Sequence, residues 1–170
     1  MGTFTDLRAT RGILDTLLYL SPTRQLLYVT DTLGDTPSRR LEHLSCFYPG
    51  LLALGVHSLT SDTSHPTVPE RDLALQRWAA EGLAHTCWAM YGESVTGLAP
   101  EEALFASAGL PITKTFTERW MNHVRDWESE GSPGGKPPGV ANLAELVMKG
   151  SGVARDYATR KGQYLLRPEV

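Results

Sequence analysis

Glu101 in GLAPE and Glu169 in RPE, in this chain of 170 residues, each stand directly after a proline. Proline disfavours helix for the residue before it and pre-sets the first turn of a helix after it, so Glu169 is expected at the mouth of a helix. A carboxylate there is favoured by the helix dipole, and Arg167 two residues earlier would hold it ionised. Glu101 follows Pro100 in a loop that leaves a helix. The other candidates are His43, behind Glu42 at the entrance of an apolar stretch, and the two cysteines, Cys46 and Cys87. On residue types alone, an acid after proline is more often a carboxylate held by the helix dipole. Arg167 could be its surface partner, worth about 0–1 kcal/mol. A histidine beside an apolar helix is more often a satisfied structural residue than a ligand.

Composition narrows the classes. Hydrophobic residues make up 41% and charged residues 21%, the balance of an ordinary globular chain. The formal net charge of −3 and a pI near 5.9 argue against nucleic acid and against an anionic membrane surface as partners. No run approaches the roughly 18 apolar residues of a membrane span. The first residues, MGTFTD, carry no basic n-region, so no signal peptide is expected in them. The cysteines form no CxxC and have no histidine pattern beside them, which argues against zinc. They fit two buried thiols in an intracellular protein, or one disulfide in a secreted one.

The elements that must position these residues read mainly as helix. Residues 6–20 place leucines and isoleucine at helical spacing up to Ser21-Pro22. QLLYVT (25–30) reads as a strand, and 31–40 as a polar turn region. HLSCFYPGLLALGV (43–56) reads as an apolar helix interrupted by Pro49-Gly50, followed by loop over 57–69. Pro69 with Glu70 and Asp72 marks the start of the longest helix, 70–92, whose broad apolar face predicts burial on more than one side. Residues 102–105 read as extended, 117–129 as an amphipathic helix, 131–139 as flexible, 142–149 as a short helix and 155–161 simply as polar. Trp78, Trp88, Trp120 and Trp127 sit at helical spacing and are assigned to the core rather than to sugar stacking. His57, His65, His85 and His123 are assigned to the surface or to caps.

Three stretches, HLSCFYPGLLALG (43–55), HTCWAMYGESVTGLAPE (85–101) and YLLRPE (164–169), together with TRQLLYVTD (23–31), resemble the class I α-1,2-mannosidases of glycoside hydrolase family 47 in order and spacing. The resemblance covers nearly the whole chain and is weakest between residues 106 and 160. It implies an all-α fold, an interior slice of an (α/α)7 barrel with short extended segments. It also implies that residues 1–170 are a catalytic domain truncated at both ends. The implied activity is calcium-dependent trimming of terminal α-1,2-linked mannose from high-mannose N-linked oligosaccharides, with inversion. Inverting hydrolysis needs one carboxylic acid to protonate the leaving oxygen and one carboxylate to activate water, about 6.5–9.5 Å apart.

Carried over residue by residue, Glu169 matches the family's proposed general base and Glu101 its second active-site glutamate, often read as the proton donor. Arg167 and His43 match sugar-contacting residues. Cys46 and Cys87 match a stapling disulfide, which fits the oxidising compartments in which the family works. The implied location is the secretory pathway, in the endoplasmic reticulum or Golgi lumen or outside the cell, with or without a membrane anchor. The chain departs from the pattern in having Glu42 where the family commonly has aspartate before the motif histidine. The calcium-binding threonine is expected beyond Val170, so no metal ligand is assigned within the chain. Two rival readings keep the resemblance without the activity: a mannose-glycan-binding relative, and an inactive truncated product.

Overall fold

A two-stranded hairpin lies between two apolar clusters and is buried on both faces. It belongs to a computed structural model that describes residues 2–34, 36–61, 68–107, 118–140 and 155–163, with 2–6 as backbone only. The chain runs from helix α1 (Gly2–Thr16) into strands β1 (Leu18–Leu20) and β2 (Leu27–Val29), which pair antiparallel with Tyr19 opposite Tyr28. Successive side chains of a strand point to opposite faces. Leu18, Leu20 and Leu27 accordingly enter a cluster with Leu14 of α1 and with residues of three later helices, α2 (Tyr48–Ser61), α3 (Glu70–Gly92) and α4 (Trp120–Ser129). Tyr19 and Tyr28 enter a second cluster with Cys46, Cys87, Met90, Ala103, Phe105 and Tyr157. Tyr28 stacks on Phe105, with ring centroids 4.1 Å apart.

A short hairpin, β3 (Thr32–Leu33) and β4 (Thr36–Pro37), leads to β5 (Arg40–Glu42). A 3₁₀ turn, His43–Phe47, then opens into α2. β6 (Glu102–Phe105) follows α3, and β7 (Tyr157–Lys161) is the last described element. These form an antiparallel sheet in the order β5-β6-β7, with Glu42 opposite Glu102 and Glu102 opposite Lys161.

The expected all-α slice of an (α/α)7 barrel is therefore corrected: the described residues form a mixed structure in which helices alternate with three small antiparallel sheets. β2 and β6 were expected as extended, but β1, β3, β4, β5 and β7 escaped the sequence reading for a physical reason. They are two to five residues long, too short to display a period, and β1 and β2 are buried on both faces, so they read as continuous apolar runs. The helix expected over 6–20 ends at Thr16 because LYL belongs to β1. The turn region 31–40 contains β3 and β4, and the polar stretch 155–161 contains β7.

Other expectations meet the structure element by element. The helix at 70–92, the strand at 102–105 and the amphipathic helix near 117–129 appear as Glu70–Gly92, Glu102–Phe105 and Trp120–Ser129. Pro49-Gly50 does not interrupt α2 but lies in its first turn, where proline is tolerated because that N–H has no intrahelical partner. α2 also continues to Ser61, into the expected loop. The helix expected at 142–149 and His65 lie outside the described residues.

The segment 131–139 is an ordered run of turns. Gly131, Gly134, Gly135 and Gly139 have positive φ, and two carbonyls of the segment, Pro133 and Pro138, accept the indole N–H groups of Trp127 and Trp120, each at 2.9 Å. Gly139 is held by space as well as by φ. A Cβ there would meet Leu20 Cδ2 at 2.5 Å, and a Cβ on Gly82 of α3 would meet the Gly139 carbonyl oxygen at 2.5 Å. The segment thus crosses the hairpin and α3 at backbone distance. Trp120 and Trp127 are core, and Trp78 packs edge-on against Trp127. Trp88 is not core: it is 51% exposed on the outer side of α3, with the His85 ring stacked beside it. His57 is exposed, as expected. Leu44, Phe47, Leu51 and Leu54, spaced as one helical stripe over the 3₁₀ turn and α2, are 47–61% exposed.

Candidate functional site

The β5–β6 ladder delivers two of the predicted site residues to the same place. One step past the Glu42–Glu102 rung, the backbone N–H of His43 donates to the backbone carbonyl of Glu101 at 2.9 Å. His43 and Glu101, 58 positions apart in sequence, are thereby neighbours at one end of the sheet. His43 is buried, at 2% exposure, whereas the Glu101 side chain is half-buried. The His43 ring packs edge-on against Tyr91 of α3, and its Nε2 shares a 2.6 Å hydrogen bond with the Tyr91 hydroxyl.

One turn along both elements, Cys46 and Cys87 form a disulfide with Cα atoms 5.9 Å apart. Of the two alternatives left open by the cysteines themselves, the disulfide is the one formed. Arg167 and Glu169 lie outside the described residues, so the structure brings together His43 and Glu101 and leaves the other two undescribed.

Three further acids tie the surrounding elements together, Glu102 next to this corner and Glu93 and Asp156 towards the other end of β6. Glu102, 1% exposed, faces Glu42 across the ladder. Like charges directly opposite destabilise a sheet. Lys161 at 2.9 Å and Arg160 at 3.0 Å offset this, and the hydrogen bond from Lys161 holds the Glu102 carboxyl below its ordinary pKa.

Glu93 ends α3. Burial opposes its ionisation, but Arg24 at 2.5 Å and the Tyr157 hydroxyl at 2.9 Å outweigh that and keep its pKa low. Arg155 adds a bond to the Glu93 backbone carbonyl. The loop that carries Glu101 is thus anchored at its start by Glu93 and turned by Gly97 at φ +72°.

Asp156 is the third. It is 3% exposed and its Oδ2 accepts from the Ser21 hydroxyl at 2.6 Å and from the backbone N–H groups of Arg24 (2.6 Å) and Thr23 (3.0 Å). Ser21 Oγ in turn accepts from the Leu26 N–H at 2.8 Å. One carboxylate therefore closes the β1–β2 turn, where Gln25 has φ +54°. Burial opposes its ionisation, but these donors outweigh it and lower its pKa.

Both Asp156 and Glu93 have folded pKa values below the ordinary ones of 3.8 and 4.5. Their contribution to stability is thus fully present above the ordinary carboxylate range and lost as pH falls through the lower folded values. Replacing Asp156 with Asn keeps the shape but removes the charge that three donors address. The expected loss is about 2 kcal/mol at pH 7, shrinking as pH falls below 4. Urea unfolding at both pH values checks this; an equal loss at both would contradict it.

Sequence reasoning missed Tyr91, Glu93 and Asp156. Tyr91 was read as one residue of an apolar face, although its phenol needs a partner when half-buried. Nothing in the spacing joins Asp156 to Ser21; the one hint was a Ser-Pro turn with no local carboxylate to close it.

The model of glycosyl hydrolase family 47 matches residues 7–170. The chain belongs to this family. It is 39% identical over 99 residues to an endoplasmic reticulum mannosyl-oligosaccharide 1,2-alpha-mannosidase of Rattus norvegicus, covering 58% of this chain and 13% of that protein. It is 31% identical over 140 residues to a mannosyl-oligosaccharide 1,2-alpha-mannosidase of Arabidopsis thaliana (76% of this chain, 19% of the relative). It is 34% identical over 103 residues to the endoplasmic reticulum enzyme of that name in Schizosaccharomyces pombe, covering 55% of this chain and 19% of the relative. The chain thus spans less than a fifth of the length of these relatives.

Proposed function

We propose that this chain is part of the catalytic domain of a glycosidase that hydrolyses terminal α-1,2-linked mannose from high-mannose N-linked oligosaccharides in the secretory pathway. What supports the reading is family membership over residues 7–170 together with the main-chain bond that sets His43 beside Glu101. The names of the relatives support the substrate and the compartment.

In the proposed reaction Glu101, protonated, gives its proton to the glycosidic oxygen as the bond from the mannose anomeric carbon to that oxygen breaks. Glu169 takes a proton from a water that attacks the same carbon from the opposite face. The products are mannose of inverted anomeric configuration and a glycan one residue shorter, and the two carboxyl groups reset through solvent. Inversion requires the carboxyls to stand about 6.5–9.5 Å apart, with room for that water. Arg167 and His43 hold sugar hydroxyls, and Arg167 keeps Glu169 ionised.

Among the described residues there is no group of three or more His, Cys, Asp or Glu that could hold a metal. The calcium that the resemblance implies is therefore assigned no ligand here and no step. The full-length gene product, incubated with a high-mannose oligosaccharide, should release mannose whose first-formed anomer is β by proton NMR. Glycan binding without release would favour the non-catalytic reading; α-mannose as the first product would remove the two-carboxylate inverting scheme.

A further inference from the structure

We infer that Tyr91 is a positioning residue for sugar binding, acting by fixing the ring of His43. The inference rests on the proposal that His43 contacts the sugar. The tautomer and orientation of a buried imidazole are set by the hydrogen bonds that its nitrogens make. Here the Nε2 side is occupied by the Tyr91 hydroxyl at 2.6 Å, a short contact between groups on different elements. The edge-on packing of the two rings, with centroids 5.4 Å apart, restricts rotation of the imidazole as well as its translation. The backbone of His43 is fixed separately, by its N–H to Glu101. The disulfide between Cys46 and Cys87 lies one helical turn from His43 on one element and one turn from Tyr91 on the other. The histidine is thus held at three points: main chain, ring edge and ring nitrogen. Tyr91 supplies the last two, while its own ring lies on α3, outside the β5–β6 corner.

Tyr91→Phe keeps the ring packing and removes only the hydroxyl. In the full-length protein it should raise KM for an α-1,2-mannose disaccharide about fivefold, the size of one lost hydrogen bond, and leave kcat within about twofold. A purely structural role would instead lower the melting temperature without this split between KM and kcat. His43→Ala should weaken binding more, and the double variant should bind no worse than His43→Ala alone, because the role inferred for the phenol runs through the imidazole. The coupling between the two changes is the readout, so a modest fall in melting temperature in either variant does not obscure it. Additive effects, or an unchanged KM in Tyr91→Phe beside a raised KM in His43→Ala, would overturn the role of Tyr91. An unchanged KM in His43→Ala would instead overturn the reading of His43 as a sugar contact, and the inference with it.

Discussion

Glu101→Gln in the full-length protein is expected to lower the rate of mannose release by about 10²- to 10⁴-fold, the usual contribution of a positioned proton donor. The fold should not change. The main-chain carbonyl of position 101 accepts from the His43 N–H, and the adjacent Ala99 and Pro100 are buried. Glutamine preserves both. Its amide is nearly the shape of the carboxyl but has no proton to give to the glycosidic oxygen, so the loss should fall on kcat with glycan binding retained. Comparing mannose release with oligosaccharide binding in one preparation separates the two. A variant with parental kcat would show that Glu101 is an acid after proline at a turn with no chemical role, the plain reading that its residue type allows.

Removing the disulfide should give the largest loss of stability. Cys46 and Cys87 are 41 positions apart, and a cross-link closing a loop of that size restricts the unfolded chain enough to contribute about 3–4 kcal/mol. The double replacement Cys46→Ala with Cys87→Ala is therefore expected to lower the unfolding free energy by about that amount, read from denaturant titrations of the two proteins. Both sulfurs lie in the second apolar cluster beside Met90 and Leu41, so a small void adds to the loss. An unchanged midpoint, or two free thiols found by mass spectrometry of non-reduced secretory material, would contradict the bridge.

Much of this molecule could be read from its residues, but unevenly. α3 was legible because proline, two acids and a long apolar face all agree on one start and one type. β6 was legible because a buried strand follows a proline turn. The hairpin β1–β2 was legible in its second strand only. Its first strand continues the apolar run of α1, and with both faces buried no alternation marks the change. The fold class was also misread because the three-stranded sheet is assembled by partners far apart in sequence, Leu41 with Ala103 and Ala103 with Thr159, and no local period encodes such pairings. Of the candidate site, motifs found His43 and Glu101, but Tyr91, which bonds the His43 ring, and Glu93 and Asp156, which tie α3 and the first hairpin to the start of β7, carry no motif. They are defined by what they touch.

The carboxylate of Asp156 reaches a serine 135 positions upstream to close the first hairpin. On the ribosome, Ser21 emerges long before Asp156 is made. Until then the Ser21 hydroxyl and the Thr23 and Arg24 amides have only water to address, and the two tyrosines of the hairpin lack Tyr157 as a lid on their cluster. The first hairpin therefore waits for a later segment of the nascent chain before its turn is closed.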